Sequence, residues 1–308
     1  MIAVTPGIGA VASHRRRSLH IGRSARMTNR DRLSAMSQRS AFSGGDQQYL
    51  RDVQYGSGAK LDVRSFLHRT YATSPIPLPE FAAGLIDWPS SGSFLECGCG
   101  NGRFWETGTL PRSVSLTLTD LSPGMVGEAI ARAKLNGFGD VRAEACDVQA
   151  LPFGDEAFDV VIANHMLYHV PDPDLAVAEL ARVVRRDGVV IVATNGYGHM
   201  REINDAVAEV FGSDDVEGLY EVFGIDTGEA RLREQFSRVV WHAFDNDLIV
   251  DDPAAVVAYG LSFPPGELAT ESQRAAFEAA VAQRFVNGRL RIRTRTGVFV
   301  CTRPRRLM

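Results

Sequence analysis

From about residue 90 onward, short apolar runs alternate with amphipathic stretches, and this alternation confines the chain to few architectures. The runs are Ser93–Cys97, Ser115–Thr119, Val141–Ala145, Phe158–Ala163 and Val189–Thr194. Between them apolar residues recur at spacings of three and four. Met125, Val126, Ala129, Ile130 and Ala133 form one stripe, and Ala176, Leu180, Val183 and Val184 another. Strands alternating with helices build a parallel sheet with crossover helices, an α/β fold. Three helix starts carry a capping residue followed by proline: Ser122-Pro123, Asp172-Pro173 and Asp252-Pro253. Residues 239–244 and 289–302 read as late strands, the second folding around a Thr296-Gly297 turn, with a mostly helical segment, 253–287, between them.

The first run leads into Glu96-Cys97-Gly98-Cys99-Gly100-Asn101-Gly102. Glycines there let the backbone turn sharply and approach a ligand at the sheet edge where open α/β folds bind. The nicotinamide fingerprint needs a third glycine where Arg103 stands, and a phosphate loop needs a Gly-Lys-Ser/Thr ending that is absent. Glu96 ends the first strand, where a carboxylate repels pyrophosphate but suits an ammonium group. Asp120 ends the second, placed to accept hydrogen bonds from ribose hydroxyls, with apolar Leu121 next to it to cover an adenine face. Asp147 ends the third, within reach of an adenine amino group. Singly, each acid is as well explained as a helix cap or surface residue; at three successive strand ends they mark a nucleoside site.

These segments resemble the class I S-adenosylmethionine-dependent methyltransferases over about residues 50–303. ECGCGNG is similar to the family's first motif and TLTDLSPGM to its second. ACDVQALPFGDEAFDVVIANHMLYHVPD is similar to the third and fourth, and ELARVVRRDGVVIVATNG to the fifth-strand region. The resemblance extends to a subgroup with a lead-in here formed by Tyr55, Leu61, Arg64, Leu67, His68 and Tyr71, and with a later segment formed by Asn195, Gly196, His199 and Met200. It implies a Rossmann-like sheet of seven mostly parallel strands in the order 3-2-1-4-5-7-6, the seventh antiparallel. Helices flank the sheet, and a helical lid comes from about 50–85, 197–235 and 253–287. It also implies S-adenosyl-L-methionine as cofactor, held by Tyr55, Glu96, Gly98, Gly100, Asp120, Leu121, Asp147, Val148 and Asn164. Glu96 replaces the commoner Asp, and Arg186-Asp187-Gly188 the usual Pro-Gly-Gly; neither change removes a group the cofactor needs.

A sulfonium methyl is already electrophilic, so the protein must align a nucleophile, exclude water and, for an alcohol or phenol, accept a proton. Candidates for these catalytic tasks are His165, Tyr168 and His169 after the fourth strand; the four-residue spacing of the histidines puts them on one face of a helical turn. His165 is the leading base, whereas His169 also reads as a structural histidine. His68, Tyr71, Asn195 and His199 are candidates for the acceptor side, with core packing the competing reading for Tyr71. Phe211, Tyr220, Phe223 and Phe263 offer an apolar roof or simply pack it.

Charge narrows the partner. Residues 1–45 hold eight Arg and one acid, for +7, while residues 46–308 hold 25 basic and 36 acidic side chains, for −11. An acidic body disfavours nucleic acid and favours a small-molecule acceptor, expected to be methylated at N or O in secondary metabolism. An RNA acceptor and a non-catalytic binding protein on the same scaffold are the alternatives, and a nicotinamide dehydrogenase a distant one. Cys97, Cys99, Cys146 and Cys301 lie in or beside apolar runs without zinc-like spacing, reading as reduced thiols of a cytoplasmic protein. No metal site and no membrane span is expected, and a homodimer is left open. The basic 1–45 stretch reads as a disordered tail or over-extended start, with a transit peptide and a nucleic-acid arm as alternatives, and the domain runs from 46 to 308. A chain begun at Met36 is expected to keep full activity; complete loss in that truncation would make the tail part of the working protein.

Overall fold

The computed structural model describes residues 41–43, 45–212 and 216–305. Strands β1 (Ser93–Cys97), β2 (Ser115–Asp120), β3 (Asp140–Ala145), β4 (Phe158–Asn164) and β5 (Val184–Asn195) are parallel, and β6 (Phe236–Phe244) and β9 (Thr296–Pro304) complete one sheet. Its order is β3-β2-β1-β4-β5-β9-β6, with β9 antiparallel to both neighbours. With β9 as the seventh strand of the sheet, this is the order the sequence resemblance implies. A separate ribbon pairs β7 (Asp247–Val250) with β8 (Leu290–Arg293).

The central strands are apolar throughout because helices cover both faces. Leu95, Val161, Ala163, Val190 and Val192 point to one face, packing against α4 (Pro173–Val183) and α7 (Ile225–Gln235). Phe94, Val160, Ile162, Ile191 and Ala193 point to the other, against α3 (Pro123–Leu135), Trp105 and α2 (Leu78–Ala83). Edge strand β3 carries Asp140, Arg142 and Glu144, which discourage further pairing. The expected caps are present. Ser122 Oγ accepts from Met125 N at 3.4 Å, Asp172 Oδ1 from Leu175 N at 3.1 Å, and Asp252 Oδ1 from Ala254 N at 2.9 Å.

A cap with its own core lies over the carboxyl ends of the strands. It combines α1 (Ala59–Tyr71), α5 (Arg201–Phe211), α8 (Pro253–Gly260), α9 (Glu271–Gln283) and the β7–β8 ribbon around Leu67, Ile203, Leu248, Phe277 and Ile292. Short α6 (Glu217–Phe223) closes one side. The N-terminus of α1 is fastened to the sheet. Gly58 N donates to Glu128 Oε1 at 2.9 Å, and Asp62 accepts from Asn101 and Arg103 at 2.8 and 2.7 Å. Among the described residues no helix is long and apolar enough to cross a membrane.

Three expectations are corrected. Residues 289–302 do not form a hairpin; β8 leaves for the ribbon, and Thr296-Gly297 opens β9 opposite Asn195 and Thr194. Glycine serves there because the Trp241 ring lies where a Cβ at 297 would stand. Val184 belongs to β5 rather than to the preceding helix. The folded chain also begins before residue 46: Phe42, 3% exposed, packs with Leu50, Leu219, Tyr220 and Phe263. The rest of the expected tail, residues 1–40 and 44, lies outside the described residues. Phe42→Ala, a buried aromatic truncation, is expected to lower the unfolding free energy by about 3 kcal/mol in denaturant melts; an unchanged midpoint would remove residue 42 from the core.

Candidate functional site

The order of a parallel sheet reverses between β1 and β4, and ligands bind at that switch point. Here it opens into a cavity of about 820 Å³ between the strand ends and the cap, within the usual range for small-molecule sites. After β1 the chain turns through Gly98 and Gly100 at φ +64° and +51°. Only glycine fits at 98, since a Cβ would stand 2.6 Å from Met166 Cβ. Asp120 fixes the turn: Oδ2 accepts from Gly100 N and Oδ1 from Ser122 N, both at 2.9 Å. Burial raises its carboxyl, and these backbone donors counteract the rise.

Glu96 is 2% exposed, and its Oε2 accepts from the Trp105 indole N–H at 2.6 Å. Burial pushes its carboxyl up to about 8, against the pull of that N–H, with Asp120 adding to the rise. Asp147, predicted to be free for an adenine amino group, is already engaged. It accepts from Gln47 Nε2 at 2.6 Å and from the backbone and side chain of Gln149 at 2.9 Å each. A ligand at Asp147 therefore has to displace one of the two amides. Leu121 and Val148 line the cavity beside it. Asn164, at the end of β4, also faces the cavity, and its Oδ1 is buried without a donor.

A group of imidazoles faces the same cavity. His165 is held at φ +53°, an uncommon conformation for a non-glycine residue, with its N–H donating to Ala193 O at 2.9 Å. His68 stacks on His199 with ring centroids 6.0 Å apart. His199 Nδ1 accepts from Arg295 N at 3.1 Å, which leaves its proton on Nε2. Burial holds His68 and His165 down near 4, His68 adding to the effect at His165, and drives His199 well below its ordinary value. All three are neutral at pH 7.

His169 lines the same cavity but keeps other partners. The left-handed turn at His165 and a 3-10 turn limited to Leu167–His169 break the helical spacing, so the two histidines share no face. His169 Nε2 meets the Tyr55 hydroxyl at 2.8 Å, and its ring packs edge-on to Phe42 and Tyr168. Burial first, then the nearby Arg64 charge, holds it down to about 3. Asn195 accepts from Thr296 Oγ1 at 2.6 Å at the cavity wall. Tyr71 falls outside the cavity: it continues the Leu67 stripe into the cap core and meets Phe66, while the cavity face of α1 runs through Leu61, Arg64, His68 and Ala72. The aromatics Phe211, Tyr220, Phe223 and Phe263 pack in the cores instead of lining the cavity.

Every other predicted site residue lines this cavity: Tyr55, Glu96, Gly98, Gly100, Asp120, Leu121, Asp147, Val148, Asn164, His165, Tyr168, His169, His68, Asn195 and His199. Gln47, Tyr259 and Thr296 line it too without a local motif to announce them. Arg64 had a signal, its spacing of three and four from Leu61 and His68.

Glu96 leaves a mark on stability. Its folded pKa lies above the unfolded one, so the folded chain keeps the proton between about pH 4.5 and 8 and loses stability as pH rises through that window. Glu96→Gln keeps an acceptor for Trp105 and cannot ionise. In denaturant unfolding without added ligand, the variant is expected to gain on wild type from pH 5 to pH 8 by on the order of a few kcal/mol. Parallel pH profiles for the two proteins would contradict this.

Comparison with known proteins agrees with the fold. Residues 95–192 match the Methyltransf_11 family, a methyltransferase domain. Malonyl-[acyl-carrier protein] O-methyltransferase of Paenibacillus sp. (strain JDR-2) is 28% identical over 170 residues, 52% of this chain and 59% of that protein. The 27-O-demethylrifamycin SV methyltransferase of Amycolatopsis mediterranei (strain S699) is 27% identical over 176 residues, 53% of this chain and 65% of that protein. The chain thus matches less than two thirds of either relative's length. The YcgJ protein of Bacillus subtilis shares the fold, with a TM-score of 0.51 at 17% identity over 72% of this chain and 98% of that one. The strand order, the glycine turn after β1 and the match of residues 95–192 to a methyltransferase domain together support a class I S-adenosylmethionine-dependent methyltransferase.

Proposed function

We propose that the chain transfers a methyl group from S-adenosyl-L-methionine to an oxygen of a small organic acceptor. The observation that carries this reading is the row of Glu96, Asp120 and Asp147 at three adjacent strand ends, facing one cavity that the neutral imidazoles of His68, His165 and His199 also line. The cavity groups fit the cofactor. The Asp120 carboxylate supplies acceptors for a ribose diol, and Leu121 and Val148 supply apolar surface for adenine. The buried Asn164 Oδ1 supplies the acceptor an ammonium group needs, with the Glu96 carboxyl lining the same cavity. Tyr55 and the glycine turn close the remaining sides.

When bound, the cofactor supplies an electrophilic methyl on a sulfonium. The residues of the chain align the acceptor and exclude water, tasks that can lower a barrier by about 7–11 kcal/mol. Neutral His68, His165 and His199 place no competing cation beside the sulfonium. His165, strained into a left-handed turn and facing the cavity, is the base that takes the acceptor's proton as the new bond forms. Its low basicity suits an acidic hydroxyl such as a phenol better than an alkyl alcohol. The two named relatives support oxygen as the target: their names record O-methylation of malonyl-[acyl-carrier protein] and methylation of 27-O-demethylrifamycin SV. A net charge of −11 over residues 46–308 gives an RNA acceptor little to bind.

Calorimetry with S-adenosylhomocysteine tests the cofactor half. Wild type is expected to bind, and Asp120→Ala to weaken binding by at least about tenfold. Absence of binding to wild type would end this reading. With an acceptor found by transfer of labelled methyl groups, His165→Ala is expected to lower kcat/KM by about 10²–10⁴-fold, and a loss below about threefold would take His165 out of the chemistry.

A further inference from the structure

Arg64 brings a permanent charge into the cavity and, among the described residues, pairs with no carboxylate. It lies on the cavity face of α1, one turn beyond Leu61 and one before His68. One terminal nitrogen donates to Gln54 Oε1 at 2.6 Å, and the other reaches the Tyr55 hydroxyl at 3.3 Å. The guanidinium carbon lies 5.5 Å from the centre of the Tyr55 ring, and Nε is buried with no acceptor among the described residues. The nearby carboxylate is spoken for: Glu267 pairs with Lys60 and accepts from Tyr49 and, at 2.9 Å, from the Gln54 amide. Gln54 therefore stands between Glu267 and Arg64, giving its N–H to one and its carbonyl to the other.

The other cavity arginines differ. Arg51 pairs with Asp52, Arg103 with Asp62 and Glu106, and Arg69 is exposed. Arginine cannot shed its proton, so withdrawing it from water without an anion is costly unless a ligand brings one. The terminal nitrogen that reaches the Tyr55 hydroxyl keeps a second N–H free, and a charge-assisted hydrogen bond from it matches a carboxylate. Arg64 turns to Gln54, Tyr55 and the Ser262 carbonyl, whereas Glu96, Asp120 and Asp147 line the cavity from the strand ends.

We propose that the acceptor carries a carboxylate and that Arg64 anchors it, making this residue a determinant of acceptor specificity. Resting on the methyltransferase reading, this narrows the substrate to small organic acids. An oxygen held by a guanidinium is a poor nucleophile, so the methylated atom is another oxygen of the same molecule.

The test titrates matched probes into protein saturated with S-adenosylhomocysteine: 4-hydroxybenzoate and 3-phenylpropanoate, each against its amide. In wild type at least one acid is expected to bind at least about tenfold tighter than its amide. Arg64→Gln should erase that preference, Arg64→Lys should keep part of it, and affinity for S-adenosylhomocysteine should stay within about threefold in both. Acids that bind no better than amides, or not at all, overturn the proposal. A collapse of S-adenosylhomocysteine affinity in Arg64→Gln alone, with an unchanged melting temperature, assigns the guanidinium to the cofactor's own carboxylate and overturns it as well. Failure of wild type to bind S-adenosylhomocysteine would instead sink the methyltransferase reading.

Discussion

The hydrogen bond from Gly100 N to Asp120 holds the end of β1 to the end of β2, and the rest of the site is hung from that link. It keeps the glycine turn tight enough for Met166 to pack over Gly98. It orients the Asp120 carboxylate along the cavity wall, and it leaves Leu61 in contact range of the turn, from where α1 carries Arg64 and His68 over the opening. The Asp62 contacts to Asn101 and Arg103 repeat the link from the helix side, so cap and sheet meet through one small set of polar groups.

Electrostatically, the cavity is built from groups that burial has pushed toward their neutral forms. Glu96 tends to hold its proton and the histidines tend to lose theirs. Against that background Arg64, unlike Arg51 and Arg103, meets no carboxylate among the described residues. The low local polarisability that neutralises the weak acids and bases also amplifies the pull of a cation that cannot respond in that way.

Much of this was legible in the sequence where a local rule acts alone. Strand runs buried on both faces read as continuous apolar segments, and Ser122, Asp172 and Asp252 announce their helices through short-range capping. The acids at strand ends could be placed because a parallel sheet aligns its carboxyl ends on one edge. What stayed hidden depends on contacts far apart in the chain. Gly297 looks like a turn residue until Trp241 is seen over it, and Gln47 gives no hint of Asp147, one hundred positions later. His165 and His169 fit a helical spacing that the left-handed backbone at 165 abolishes, because the bond to Ala193 O continues the sheet instead. Phe42 sits in a stretch whose arginine and serine content hides a single buried aromatic.

The place of β9 has a consequence for the order in which the molecule can be assembled. It is inserted between β5 and β6 yet comes after both in the chain, with α8, α9 and the ribbon made in between. During synthesis, β5 and β6 therefore wait as two open edges, separated by the width of a missing strand, until residues 296–304 have been made. A chain arrested at residue 290 would be cut by protease along β6 and spared once β9 is present; equal resistance in both would mean β6 docks without it. The last strand is thus the keystone of the sheet, and the cap must already be out of its way when it arrives.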